Sequence, residues 1–123
     1  MPDNAAAKPT SLLTLATSSE SDASGEFRKV RCTGKLVAGT TEILQSEVRS
    51  LMPRSKRIVL DLTDLGYMDS SGLGSIIGLY VSAKSAGGKL EVINLSQRVR
   101  ELFSITNVLS LFEVCGEQNL RLP

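Results

Sequence analysis

Between Arg57 and Gly74 the chain reads Arg-Ile-Val-Leu-Asp-Leu-Thr-Asp-Leu-Gly-Tyr-Met-Asp-Ser-Ser-Gly-Leu-Gly, an apolar run that crosses a turn into a different periodicity. Ile58, Val59, Leu60 and Leu62 suit a buried strand near 57–62, whereas Leu73, Ile76, Ile77, Tyr80 and Val81 recur at helical spacing. A buried strand feeding directly into a helix demands an α/β arrangement. The spacing predicts a helix over about 71–86, with Ser70 and Ser71 at its start. A serine following Asp69 at that point reads as an N-cap, its hydroxyl accepting from an unpaired first-turn amide. The same helix end favours negative charge, so a phosphate there would be accommodated.

A chain of 123 residues is long enough for one domain with its own core and too short for two ordinary ones. Its 14 basic and 13 acidic residues leave a net charge of +1, which gives no electrostatic footprint for nucleic acid. No apolar stretch approaches the roughly 20 residues that span a bilayer, and no signal core is visible, so membrane insertion is not expected and the default compartment is the cytoplasm. The absence of histidine removes the commonest general base and metal ligand. Cys32 and Cys115 stand apart, outside any paired motif, and read as packing residues.

Residues 1–10 carry little apolar surface and are expected to form a flexible tail, with the domain over 11–123. Strands near 11–17 and 26–33 would flank the turn-rich 18–25 stretch as a hairpin; alternatively 1–25 is entirely a flexible leader. Ile43, Leu44, Val48 and Leu51 then share one face of a helix, with Thr40 placed to cap it and Pro53 beyond its end. Gly87 and Gly88 stop the next helix before a strand at 89–94. Ser96 is placed to cap a further helix carrying Val99, Leu102, Phe103 and Ile105, and 109–114 reads as a last strand. The alternation predicts a single α/β domain with a mixed sheet of four to five strands packed against helices, its later strands parallel.

Chemistry is sparse. Asp61, Asp64 and Asp69 follow one predicted strand, whereas a metal pocket of this kind draws carboxylates from several strand ends; no metal site is expected. Asp61 and Asp64 are expected to satisfy turn amides, and Asp69 to orient the serine turn or contact a partner. Gly72-Leu-Gly74 lacks the spacing and lysine of a phosphate-binding loop, so no nucleotide cofactor is expected. Without a histidine, Ser70 and Ser71 have no base to make them nucleophiles, and no catalytic residue is assigned. Lys84, Arg98 and Arg100 form a modest basic surface without an assigned role. Gly72 and Gly74 either keep bulk away from the serines so that a partner can approach, or serve only a tight strand-to-helix turn.

Ile58-Val-Leu-Asp-Leu followed by Tyr67-Met-Asp-Ser-Ser-Gly-Leu-Gly74 resembles the signature of STAS domains, specifically bacterial anti-sigma-factor antagonists. The resemblance extends from Gly34-Lys-Leu through Gly87-Gly88 to Val99-Arg-Glu-Leu-Phe103 and covers roughly 26–114. It implies a phosphoprotein that is not an enzyme. The resemblance further implies that the unphosphorylated form binds an anti-sigma factor with serine kinase activity and so releases a sigma factor for transcription. Ser70 is the implied phosphorylation site, blocking that binding, and a metal-dependent serine phosphatase restores it. Asp69, Ser70, Ser71, Gly72, Leu73 and Gly74 form the implied partner-binding turn. The alternative is a STAS scaffold subunit of a signalling assembly or lipid-transport complex without a phospho-switch. Two departures stand out: Val37 occupies a position commonly acidic in the family, and the 117–123 tail is short for the usual final helix.

Overall fold

The computed structural model describes residues 12–105, 113–114 and 120–121. Strands β1 (Leu13–Asp22) and β2 (Gly25–Leu36) form an antiparallel hairpin, followed by α1 (Thr41–Leu51), β3 (Arg57–Met68), α2 (Ser70–Ser85), β4 (Lys89–Ile93) and α3 (Gln97–Ile105). Two-residue strands β5 (Glu113–Val114) and β6 (Leu120–Arg121) extend the sheet, whose order is β1-β2-β3-β4-β6-β5. As expected from the alternation, β2, β3 and β4 are parallel and the hairpin and far edge are antiparallel. The expected tail over 1–10 and most of the 109–114 strand lie outside the described residues.

Side-chain alternation gives the sheet two unlike faces. Leu13, Val30, Cys32, Leu60, Leu62, Leu90 and Val92 share one buried cluster with Leu44, Val48 and Leu51 of α1 and Leu73, Ile76, Leu79 and Ala83 of α2. Each fully buried aliphatic side chain contributes about 1.5–3 kcal/mol against the entropy of ordering the chain. The reading of α2 needs one correction. Val81 is 55% exposed while Leu79 and Ala83 are buried, so the core stripe runs Leu73, Ile76, Leu79, Ala83 and leaves Val81 outside. In α3, Val99 is buried and Leu102 packs on the core; the side chains of Phe103 and Ile105 lie outside the described residues.

Two boundaries differ most from the sequence reading. The 18–25 stretch is no loop: β1 continues through Ser18–Asp22, pairing Glu20 with Phe27, and only Ala23 and Ser24 turn. A leader reaching residue 25 is thereby excluded. The polar residues are tolerated because β1 is an edge strand with one face in solvent. Strand β3 likewise runs past 62 to Met68, so Asp61 and Asp64 lie inside it. Its register against β2 slips twice, from Arg31↔Asp61 to Thr33↔Asp64 and from Gly34↔Leu65 to Lys35↔Tyr67, each step inserting one extra β3 residue. Those bulges interrupt the clean period of 2 and explain why the sequence pattern ends early. Among the described residues no helix is long and apolar enough to cross a membrane.

Candidate functional site

The β3–α2 junction is built by Asp69. Its backbone is extended (φ −104°, ψ −174°), and its carboxylate Oδ1 accepts from the Gly72 amide at 3.0 Å. Asp69, not Ser70, is therefore the N-cap, and Ser70 is the first residue of α2. A carboxylate outcompetes a hydroxyl here because it brings full negative charge to the positive helix end. The second oxygen, Oδ2, accepts from the Ala38 amide at 3.4 Å, and the Asp69 amide donates to the Leu36 carbonyl at 3.3 Å. One residue thus ties the serine turn to the loop that follows β2.

Thr40 sets the shape of that loop. It is buried, and its hydroxyl accepts from the Val37 amide at 3.0 Å while donating to the Lys35 carbonyl at 2.8 Å. It makes no side-chain cap to α1, contrary to expectation, because its hydroxyl is committed to the 35–37 backbone. Val37 itself is half-buried beside this loop.

Ser70 and Ser71 are exposed, and neither side chain bonds to a described residue. Their amides open the helix and have no intrahelical acceptor. The two glycines that follow serve different ends. A Cβ on Gly72 would overlap the Leu36 carbonyl oxygen and crowd the Met68 side chain at 2.9 Å, so the close approach of α2 to β2 requires glycine there. A Cβ on Gly74 would meet nothing within 4 Å beyond its own helix, and the residue is exposed. Leu73 is buried and anchors the turn to the core; the Ser75 hydroxyl donates back to the Gly72 carbonyl at 2.7 Å. The six expected turn residues are contiguous on the molecule, but they divide by environment: Ser70, Ser71 and Gly74 are presented, Asp69 caps, and Gly72 and Leu73 are packed inside.

The other acidic residues are structural. Asp61 is buried and accepts from the Thr63 amide (3.0 Å), the Thr63 hydroxyl (2.6 Å) and the Asn94 side-chain amide (3.1 Å). Burial pushes its carboxyl up, but the Thr63 hydroxyl, Asn94 and the Thr63 amide together hold it below the ordinary carboxylate value. Asn94, held this way, adopts a left-handed φ of 61° between β4 and α3. Asp64 pairs with Arg31 at 2.6 Å. Among the described residues no group of three or more His, Cys, Asp or Glu side chains could hold a metal ion. Cys32 is fully buried, and burial together with the nearby Asp61 charge pushes its thiol up to about 12, which leaves it inert; Cys115 lies outside the described residues. Lys84 reaches Tyr80 Oη at 3.2 Å on its own helix. What sequence reading did not place was the contact of the Leu36 carbonyl and the Ala38 amide with Asp69, which depends on the β2–β3 pairing.

Comparison with known proteins places this geometry. The STAS domain family model matches residues 19–119. The chain is 30% identical over 89 residues to the anti-sigma-B factor antagonist of Bacillus subtilis, covering 72% of this chain and 82% of that protein. Among solved structures, an anti-sigma factor antagonist from Mycobacterium paratuberculosis superposes with a TM-score of 0.67 at 17% identity, over 85% of this chain and 87% of that one. The phosphorylated form of the Bacillus cell fate determinant SpoIIAA superposes with a TM-score of 0.57 at 22% identity, over 76% and 85%. At these identities the superpositions establish the fold.

Proposed function

Because the chain belongs to the STAS domain family, we propose that it is an anti-sigma-factor antagonist whose affinity for its partner is set by phosphorylation of Ser70. The unphosphorylated turn docks an anti-sigma factor with serine kinase activity in the cytoplasm, which releases the sigma factor. The protein is a regulated binding module and not an enzyme. The observation that carries the reading is the exposure of an unbonded Ser70 hydroxyl on a rigidly capped turn. A kinase can reach that hydroxyl without unfolding anything.

The physical basis of the switch is local. A phosphoryl group brings about −1.5 to −2 charges at pH 7, placed beside the Asp69 carboxylate that already occupies the helix end. The amides of Ser70 and Ser71 accommodate the added phosphate, so the fold persists. The docking face does not, since burying that charge against a partner requires stripping its water. A metal-dependent serine phosphatase would return the turn to its binding form; the metal and the ATP belong to those partners.

The test is to isolate the anti-sigma factor that co-purifies from the native cell and titrate it with wild type, Ser70→Ala and Ser70→Asp. Ser70→Ala is expected to bind as wild type and to take no phosphate from ATP by mass analysis. Ser70→Asp is expected to weaken binding by about 2–5 kcal/mol. Equal affinity of all three, or phosphate found on another residue, rejects the switch and favours a scaffold subunit docking through the same turn.

A further inference from the structure

On the face of the sheet opposite the helices α1 and α2, a groove of about 540 Å³ is lined by Thr33, Gly34, Lys35, Asp64, Gly66, Tyr67 and, from α3, Arg98. Its position follows from the second β3 bulge. Lys35 pairs with Tyr67 only because Gly66 is the extra residue after Gly34↔Leu65. Without the insertion, Tyr67 would fall opposite Leu36 and turn toward the core, whereas with it Met68 takes the buried place and Tyr67 stands 41% exposed. Bulges of this kind re-aim side chains at working surfaces.

The charge of the groove is unbalanced. Its one carboxylate, Asp64, is already engaged by Arg31 through both Nη2 at 2.6 Å and Nε at 2.9 Å. Lys35 and Arg98 are exposed, and neither forms an ion pair with a described residue. Elsewhere on the same sheet face the cations Lys29, Arg31, Arg57 and Lys89 each have a carboxylate within 4 Å. The two unmatched cations therefore coincide with the one re-aimed aromatic residue. Tyr67, which lines the groove, precedes Ser70 by three residues in the chain.

From this coincidence we infer that the groove is a second contact for the protein partner, receiving an acidic segment whose carboxylates meet Lys35 and Arg98 and whose apolar part packs on Tyr67. The inference rests on the antagonist reading for the partner's identity, but on different residues. Charges at such a rim act chiefly on the rate of encounter, and salt screens them. The groove would steer the partner in, and the state of Ser70 would decide whether it stays.

The experiment measures association and dissociation of the co-purified anti-sigma factor with wild type, K35E/R98E and Ser70→Asp, at low and moderate salt. Reversing both charges is expected to slow association by about tenfold and to flatten its salt dependence, with dissociation little changed. Because both side chains are exposed, the variant is expected to keep the wild-type circular dichroism spectrum; should it not, K35Q/R98Q replaces it, with about a threefold slowing expected. Wild-type rates in the charge variant overturn the groove, and if Ser70→Asp still fails to bind, the phospho-switch stands alone. Slowed association with Ser70→Asp binding normally keeps the groove and rejects the switch. No binding by wild type rejects both.

Discussion

At the amino-terminal ends of β3 and β4, the Arg57 guanidinium donates to Asp22 at 2.9 and 3.0 Å and to Glu91 at 3.0 Å, and stacks 4.6 Å from the Phe27 ring centroid. At the carboxyl ends of the same strands, Ser70, Lys35 and Arg98 meet no described counterpart. The contrast is one of completeness. Arg57 binds the hairpin tip to β4 across β3, and Glu91, 1% exposed, is tolerable in the interior because that cation, with Lys89 at 3.8 Å, answers it. Hydrogen bonds donated to the Asp22 and Glu91 carboxylates hold Arg57 charged well above its ordinary range. One end of the sheet spends its polar groups on stability, and the other leaves Ser70, Lys35 and Arg98 exposed.

The sharpest way to break this contrast is to delete a polar group at each end. Arg57→Ala is expected to lower unfolding stability by about 3 kcal/mol, since it removes the two hydrogen bonds from the guanidinium to the buried Glu91 and those to Asp22, whereas Ser70→Ala is expected to stay within about 0.5 kcal/mol. Urea unfolding of both variants decides it, and equal losses would erase the distinction. A second comparison lies within the serine turn. Gly72→Ala should cost about 2 kcal/mol through its clash with the Leu36 carbonyl, while Gly74→Ala should be neutral or stabilise by up to about 1 kcal/mol; a matched pair of thermal melts reads the difference. The smallest effect concerns acid. Asp61 has a folded-state value below its unfolded one, so its contribution is present above the ordinary carboxylate range and lost as pH falls through the depressed value. Asp61→Asn should therefore be less stable than wild type at neutral pH, with the gap narrowing toward pH 3 in a series of denaturation midpoints.

Much of the fold was legible because it is written in periods. The α1 stripe of Leu44, Val48 and Leu51, the buried run from Ile58 to Leu62 and the Gly87-Gly88 stop are local patterns, and each corresponds to an observed element. The expected serine turn was legible for the same reason, with strand, aspartate, serines and glycine in one continuous segment. Where the reading failed, long-range contacts had overruled local preference. Ser18–Asp22 reads as a turn alone but becomes strand through its ladder to Gly25–Lys29. Thr40 looks like a cap until the 35–37 backbone claims its hydroxyl.

By itself the chain determined the order of elements, their amphipathic faces, the absence of histidine chemistry and the placement of a serine pair at a helix start, because each depends on neighbours a few residues apart. Only the tertiary structure decided that Asp69 rather than Ser70 caps α2, that Gly72 is demanded by Leu36, and that a bulge at Gly66 turns Tyr67 toward Lys35 and Arg98. Those outcomes depend on strand register, and register is settled by which side chains from distant segments can be buried together.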